Sequence, residues 1–300
     1  MFRRSPFFST FLWLTAALGG CDCGEAGVEV DGPNPYVRCG AREPREGSWS
    51  SGSLRFSADE RVLRVEGLER FVVISAVGTE GELPELPVLV LGGATVPGLL
   101  EALGERPVLL LPGGDDDAEA YADRLDELPS DAKDRVVDLA GFHELVTPHG
   151  RFVLVPGADE GRYGVGEGAC GFGEADLEAR GDFEGEVSWL LSWAAPRVAG
   201  EHGVDRGLGG AHAGSPSLGA FAETLGVRGG IFAFPRESAA LPAHFDGSAP
   251  LAEDQPATDL AVVVPSFGAP TERFDEGSLT RDHLVIELGP DGLRVVSPGT

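Results

Sequence analysis

The fold class is decided by residues 87–128, which read PVLVLGGATVPGLLEALGERPVLLLPGGDDDAEAYADRLDEL. Two short apolar runs, Val88–Leu91 and Val108–Leu111, are each soon followed by a glycine pair. Such runs between turn residues are typical of buried strands. Apolar residues recur at helical spacing in Val96–Leu103 and in Ala118–Leu128, which follows three aspartates that favour a helix start. This alternation predicts an α/β fold with a buried sheet.

Further segments extend this pattern on both sides. Short runs of β-branched and apolar residues, each stopped by glycine or proline, predict strands, and one more stretch predicts a helix. The predicted strands are 53–56, 62–65, 71–77, 187–193, 230–234 and 260–264, with hairpins 142–146/151–155 and 283–288/293–296, and the helix is 217–225.

Length and charge limit the classes of protein and partner. The chain has 300 residues, 42% of them hydrophobic, which predicts one large core rather than a disordered chain. The net charge of −26 repels phosphate backbones, so nucleic acid is excluded as an expected partner. We expect a tether over residues 21–48 and a single domain over 49–300.

The first twenty residues have the pattern of an export signal. Arg3 and Arg4 precede a short apolar run, Phe7–Leu18, that falls well below the ~20 residues needed to span a bilayer. Leu18-Gly19-Gly20-Cys21 then resembles the lipobox of bacterial lipoproteins, in which the cysteine is diacylated and becomes the new N-terminus. We therefore expect residues 1–20 to be removed and Cys21 to anchor the protein in a cell-envelope membrane. An ordinary secretory signal with an accidental cysteine is the alternative, and the choice of inner or outer membrane stays open.

Three cysteines remain for an oxidising compartment, where disulfides persist. Cys39 with Cys170 is the favoured pair, because Cys23 lies in a tether rich in glycine and proline that is not expected to hold a fixed register. A zinc site is the weaker interpretation, since Cys21 and Cys23 lack the usual C-x-x-C spacing.

Five segments, taken in order, resemble the skeleton of the calcineurin-like metallophosphoesterases, over roughly residues 68–265. They are RFVVISAVGTEGE (70–82), VLVLGGATVPG (88–98), PVLLLPGGDDDA (107–118), VSWLLSWAAPR (187–197) and GGIFAFPRES (229–238). The resemblance implies a four-layer αββα sandwich with mixed sheets. It also implies that the loop after each of these strands carries metal ligands.

The residues that would bind metal are replaced in this chain. The family's Asp-x-His corresponds to Ser75-Ala76-Val77, its Gly-Asp aspartate to Gly93, and its Gly-Asn-His to Gly113-Gly114-Asp115, which Asp116 follows. Its lone histidine corresponds to Trp193, and its Gly-His-x-His to Ala233-Phe234-Pro235-Arg236. Hydrocarbon and indole do not bind divalent ions, and a guanidinium repels them. The resemblance therefore implies a pseudoenzyme without a cofactor, which acts as a binding or interaction module for an unidentified protein or small molecule.

The alignment brings Asp115, Trp193, Phe234 and Arg236 together at the strand ends. They form either a pocket with an aromatic floor and one cation or a filling of the space that the metals would take. The second, favoured interpretation follows from the packing energy that an empty cavity would lose.

An active hydrolase is the alternative function. It would use a divalent metal, Ca²⁺ for example, held by Asp115, Asp116, Asp117 and Glu119. Acidic residues at this position also cap a helix and complement its dipole, and we favour that structural role. Ser215 or Ser217 as a nucleophile would need a histidine and an acid from elsewhere in the chain. The glycine-rich strings at 166–171 and 207–214 lack the strand and helix context of a nucleotide site.

Overall fold

The computed structural model describes residues 39, 43–166, 168–180, 183, 186–273, 278–279 and 281–297. These residues belong to one compact unit, Pro33–Thr300. The predicted signal, Cys21 and Cys23 lie outside the described residues. No helix in the described part of the chain is long and apolar enough to cross a membrane.

The described residues form twenty strands and five α-helices. The strands up to residue 155 are β1 (Gly47–Ser51), β2 (Leu54–Asp59), β3 (Val62–Glu66), β4 (Arg70–Ala76), β5 (Val88–Leu91), β6 (Val108–Leu111), β7 (Val136–Asp138), β8 (Glu144–Thr147) and β9 (Gly150–Val155). The later strands are β10 (Ala158–Asp159), β11 (Gly171–Phe172), β12 (Trp189–Ala194), β13 (Gly229–Phe234), β14 (Ala243–His244), β15 (Leu260–Val263), β16 (Ser266–Phe267), β17 (Thr271–Glu272), β18 (Ser278–Leu279), β19 (Leu284–Gly289) and β20 (Gly292–Val296). The helices are α1 (Leu99–Leu103), α2 (Ala118–Asp126), α3 (Glu160–Tyr163), α4 (Glu174–Glu178) and α5 (Pro216–Leu225).

Most strands belong to two large mixed sheets. The first has the order β1-β2-β3-β8-β9-β12-β13-β15-β14, with parallel pairing from β9 through β15. The second has the order β20-β19-β4-β5-β6-β7, with β16 also paired to β4. Strands β4 to β7 are parallel, and β19 joins β4 in the antiparallel direction. The fold is therefore mixed α/β, as the sequence predicts.

The two sheets face each other across an apolar core. Leu89 and Leu109 of the second sheet line the same small cavity as Phe152 and Leu191 of the first. All four residues of β5 and of β6 are buried, which explains why their sequences are continuous apolar runs rather than alternating ones. The core thus positions the carboxyl ends of the parallel strands, where the candidate site lies.

Several predicted boundaries shift by a turn or less. The helix predicted over 96–103 begins at Leu99, because Pro97 and Gly98 precede it and Gly98 has a φ of +77°. The helix predicted to reach Leu128 ends at Asp126. Strand β1 begins at Gly47, two residues before the predicted start of the domain.

A disulfide joins Cys39 to Cys170, the pair favoured from the sequence. Their Cα atoms are 4.7 Å apart, both side chains are fully buried, and 131 positions separate them in the chain. The loop that contains Cys170 also pairs with the aspartate run, since the amide of Cys170 donates to the Asp116 carbonyl and that of Ala118 to the Gly168 carbonyl. The crosslink therefore holds Cys39 next to the loop after β6.

Candidate functional site

The candidate site lies where β4, β5 and β6 of one sheet and β12 and β13 of the other end. The side chain of Trp193, in β12 of the first sheet, reaches the loops that follow β5 and β6 of the second sheet. A Cβ built on Gly92 or on Gly113 would collide with Cδ1 of its indole, and one on Gly114 would lie 3.1 Å from Cζ3. The indole therefore lies directly on the backbone of the loops after β5 and β6.

Three aromatic rings form the centre of the site. Trp193 and Phe234 are stacked, with centroids 4.9 Å apart and planes 11° apart. Tyr163 meets both rings edge-on, at 6.1 Å from Trp193 and 5.1 Å from Phe234. Trp193 is 7% exposed, whereas Tyr163 and Phe234 are half-buried, so the indole is packed into the core and the other two rings lie at its edge.

Tyr163 was not predicted as a site residue. It lies at the end of the short helix α3, in a polar, glycine-rich stretch that carries no periodic signal. Its hydroxyl donates to the carbonyl of Ala213, at 2.9 Å. Burial and, after it, the nearby Asp159 carboxylate raise the pKa of the phenol. Tyr163 therefore packs, with its hydroxyl protonated, between the aromatic stack and the 206–214 loop.

One ion pair borders the aromatic cluster. Nη2 of Arg236 lies 3.1 Å from Oδ2 of Asp115, and about a third of each side chain is exposed. Burial, together with the neighbouring Asp116, raises the pKa of the Asp115 carboxyl to about 6, although Arg236 acts in the opposite direction. The structure thus brings together Asp115, Trp193, Phe234 and Arg236, the four residues that the alignment groups.

The acidic run does not converge on one point. Asp116 is fully buried: Oδ1 accepts from the amide and hydroxyl of Thr95, each at 2.8 Å, and Oδ2 accepts from the amide of Gly113, also at 2.8 Å. Asp117 caps α2 by accepting from the Ala120 amide, and Glu119 is exposed in the first turn. Over the described residues, no group of three or more His, Cys, Asp or Glu side chains is placed to hold a metal ion.

The remaining positions that the alignment groups are buried or half-buried. Ser75 is fully buried, and its hydroxyl has no hydrogen-bond partner among the described residues. Val77 is half-buried, and its amide donates to the Phe267 carbonyl at 3.0 Å. Gly93 has a φ of +72°, and a Cβ there would collide with the Ala76 carbonyl. The backbone at position 93 therefore excludes an aspartate.

Near the site, a serine and a histidine each contact an aspartate, and neither contact was predicted from the sequence. The Ser215 hydroxyl donates to Oδ2 of Asp159 at 2.5 Å and accepts from the Leu218 amide at 3.0 Å, so it caps α5. Nδ1 of His212 lies 2.9 Å from Oδ2 of the fully buried Asp205. Ser215 and His212 thus bind different carboxylates, and they do not form the serine, histidine and acid relay of a hydrolase.

Comparisons with known proteins do not identify a family or an activity for this chain. No family model and no curated protein matches the sequence. One solved crystal structure is similar to the chain at 12% identity, over 76% of this chain and 98% of that one, with a TM-score of 0.46. A similarity of this extent identifies neither a shared family nor a shared activity.

Proposed function

We propose that the chain is an exported, lipid-anchored envelope protein whose metallophosphoesterase-like domain is not catalytic and acts as a binding or interaction module. Cys21 carries the lipid in this proposal. The domain is a degenerate four-layer αββα sandwich. Two facing mixed sheets support that architecture, as do the five family-like segments, whose strands are β4, β5, β6, β12 and β13.

The observation that carries the proposal is the position of Trp193. Its indole lies on Gly92 and Gly113, in the two loops that would present metal ligands to the site. It also stacks on Phe234, and Tyr163 closes the edges of both rings. Side chains therefore fill the volume in which a two-metal centre would hold its ions and substrate oxygens.

The residues present do not fit a metal. The guanidinium of Arg236 lies 3.1 Å from Oδ2 of Asp115, so a cation is already placed beside that carboxylate. Both oxygens of Asp116 already accept hydrogen bonds from Thr95 and Gly113. A divalent ion would have to displace a guanidinium or break a buried hydrogen-bond set, so binding of the ion at this position is unfavourable.

The border of the site offers a surface for a partner. The 206–214 loop is tied to it by side-chain hydrogen bonds from Tyr163 to the Ala213 carbonyl, from Arg162 to the His212 carbonyl and from Ser238 to the Arg206 carbonyl. This loop presents Leu208, which is 62% exposed, the one strongly exposed large hydrophobic side chain of the described residues.

A turnover assay tests the proposal. Purified full chain is incubated with p-nitrophenyl phosphate and with bis(p-nitrophenyl) phosphate, in the presence of Mn²⁺, Zn²⁺ or Ca²⁺. We expect rates equal to the buffer blank for the wild type and for Asp115→Ala. Metal-dependent turnover that Asp115→Ala abolishes would establish the alternative, an active hydrolase built on the acidic run.

A further inference from the structure

A cleft lies between β1 and β7, the edge strands of the two large sheets. The end of α2 and the turn before β7 complete its wall. Its volume is about 450 Å³. Small-molecule sites usually have volumes of about 300–1,000 Å³, so the cleft is large enough to hold a ligand of that kind.

The wall of the cleft is largely apolar. Both sheets and the end of α2 contribute large apolar side chains to it, namely Trp49, Leu125, Leu128, Val136, Val137 and Phe142. All of them belong to the hydrophobic core or pack against it. An apolar molecule in the cleft would cover the part of this surface that the fold leaves in contact with water, and removal of apolar surface from water favours binding.

The indole of Trp49 has a fixed position in this wall. The ring of Phe56 stacks on it, with centroids 5.1 Å and planes 13° apart. The guanidinium carbon of Arg45 lies 4.3 Å from the centroid of the indole. Nη1 of Arg45 also donates to Oδ1 of Asp134 at 2.9 Å, which ties the segment before β1 to the turn before β7. The two sides of the cleft are therefore joined, and the cleft is preformed rather than created by a ligand.

The charges at the cleft disfavour an anion. Its charged lining residues are the four acids Glu43, Asp126, Asp134 and Asp138 and the two bases Arg45 and Lys133. Arg45 is already paired with Asp134. The whole chain carries a net charge of −26, so its field also repels anions from the cleft.

We propose that this cleft binds a small apolar molecule that carries no negative charge. The apolar wall supplies the affinity, and the acidic lining residues select against anionic ligands of the same shape. The inference is independent of the proposed function, because the cleft shares no residue with the site at the strand ends.

Fluorescence titration with two dyes of one ring skeleton tests this inference. N-phenyl-1-naphthylamine is uncharged, and 8-anilinonaphthalene-1-sulfonate differs from it by a sulfonate group. We expect the purified full chain to bind the uncharged dye saturably, with one site per chain. The Kd of the sulfonate should be higher by about tenfold or more, because the acidic lining residues repel it. Equal or tighter binding of the sulfonate would contradict the selection against anions.

Leu128→Trp tests the location of the site. Leu128 is half-buried in the wall, and a larger ring at this position would occupy the cleft. The Kd of the uncharged dye should rise by about tenfold or more, because the dye and the new ring compete for one volume. Ala102→Trp is the matched control, since it adds the same ring at an exposed position of α1 outside the cleft, and its Kd should stay within about twofold of wild type.

Glu43→Lys tests the charge without a change in the core, because Glu43 is exposed. It should lower the Kd of the sulfonate and leave that of the uncharged dye within about twofold of wild type. No saturable binding of the uncharged dye by the wild type would overturn the inference. So would a Leu128→Trp variant with wild-type circular dichroism that binds this dye as tightly as wild type, or an unchanged Kd of the sulfonate in Glu43→Lys.

Discussion

The indole of Trp193 stacks on the ring of Phe234, with centroids 4.9 Å and planes 11° apart. The two residues lie at the ends of neighbouring parallel strands, β12 and β13. In the alignment that we propose, both correspond to positions at which the metallophosphoesterases have metal ligands or their neighbours. Because stacked aromatic rings bury large apolar areas, this pair makes the strand ends a packed, apolar region.

Truncation of Trp193 should therefore destabilise the fold. We expect Trp193→Ala to lower the free energy of unfolding by about 3–5 kcal/mol, because it removes a stacked ring and leaves a cavity over two glycines. Urea denaturation followed by circular dichroism measures this change. Trp193→Phe is the control and should lose less, since it keeps the stack. A cost below about 1 kcal/mol for Trp193→Ala would show that the indole is not a packed component.

Asp116 and Asp117 should differ in their effect on stability, although they are adjacent. Asp116→Ala leaves the amides of Thr95 and Gly113 without their acceptor and should cost at least about 2 kcal/mol. Asp117→Ala removes a helix cap and should cost about 0.5–2 kcal/mol. Denaturation in EDTA checks both values. If Asp116 were chiefly a metal ligand, its replacement would be mild in EDTA and severe only when metal is added.

The raised pKa of Asp115 predicts a specific pH dependence. Its folded-state pKa is about 6, above the ordinary value of 3.8. Between these values the folded chain binds more protons than the unfolded one, so this group's contribution to stability falls as pH rises from about 4 to about 6. Asp115→Asn should abolish that fall and be more stable than wild type at pH 7. Urea denaturation across this pH range measures the difference, and Asp131→Asn, at an exposed site, is the control. An unchanged pH profile in Asp115→Asn would contradict the assignment.

The proposed lipid anchor at Cys21 predicts a change in fractionation. Cys21→Ser should lose palmitate labelling and move from the membrane fraction to the soluble fraction, because acyl chains supply the membrane affinity. Cys23→Ser should retain both the label and the membrane position. Labelling that persists in Cys21→Ser would reject Cys21 as the anchor.

Local sequence patterns predicted the elements of the core better than their arrangement. The runs Val88–Leu91 and Val108–Leu111 match β5 and β6, because strands buried on both faces need continuous apolar residues. Strand β1 was missed because it reads GSWSS and is largely exposed. The order of strands within each sheet, with its crossovers, depends on contacts between distant segments that no local pattern encodes.

The candidate site was predicted only in part, for a related reason. Asp115, Trp193, Phe234 and Arg236 were grouped through the family alignment, which places strand ends side by side. Tyr163 carries no such signal, and it reaches Trp193 and Phe234 only because α3 folds over the ends of the strands.

The most direct test of the central claim is the metal content of the purified protein. The full chain is incubated with Mn²⁺, Zn²⁺ and Ca²⁺, washed extensively and measured by inductively coupled plasma mass spectrometry. Because Trp193 and Arg236 occupy the ligand positions of the proposed alignment, we predict a stoichiometry near zero and no thermal shift on addition of metal. Retention of one or two ions per chain would contradict the non-catalytic interpretation.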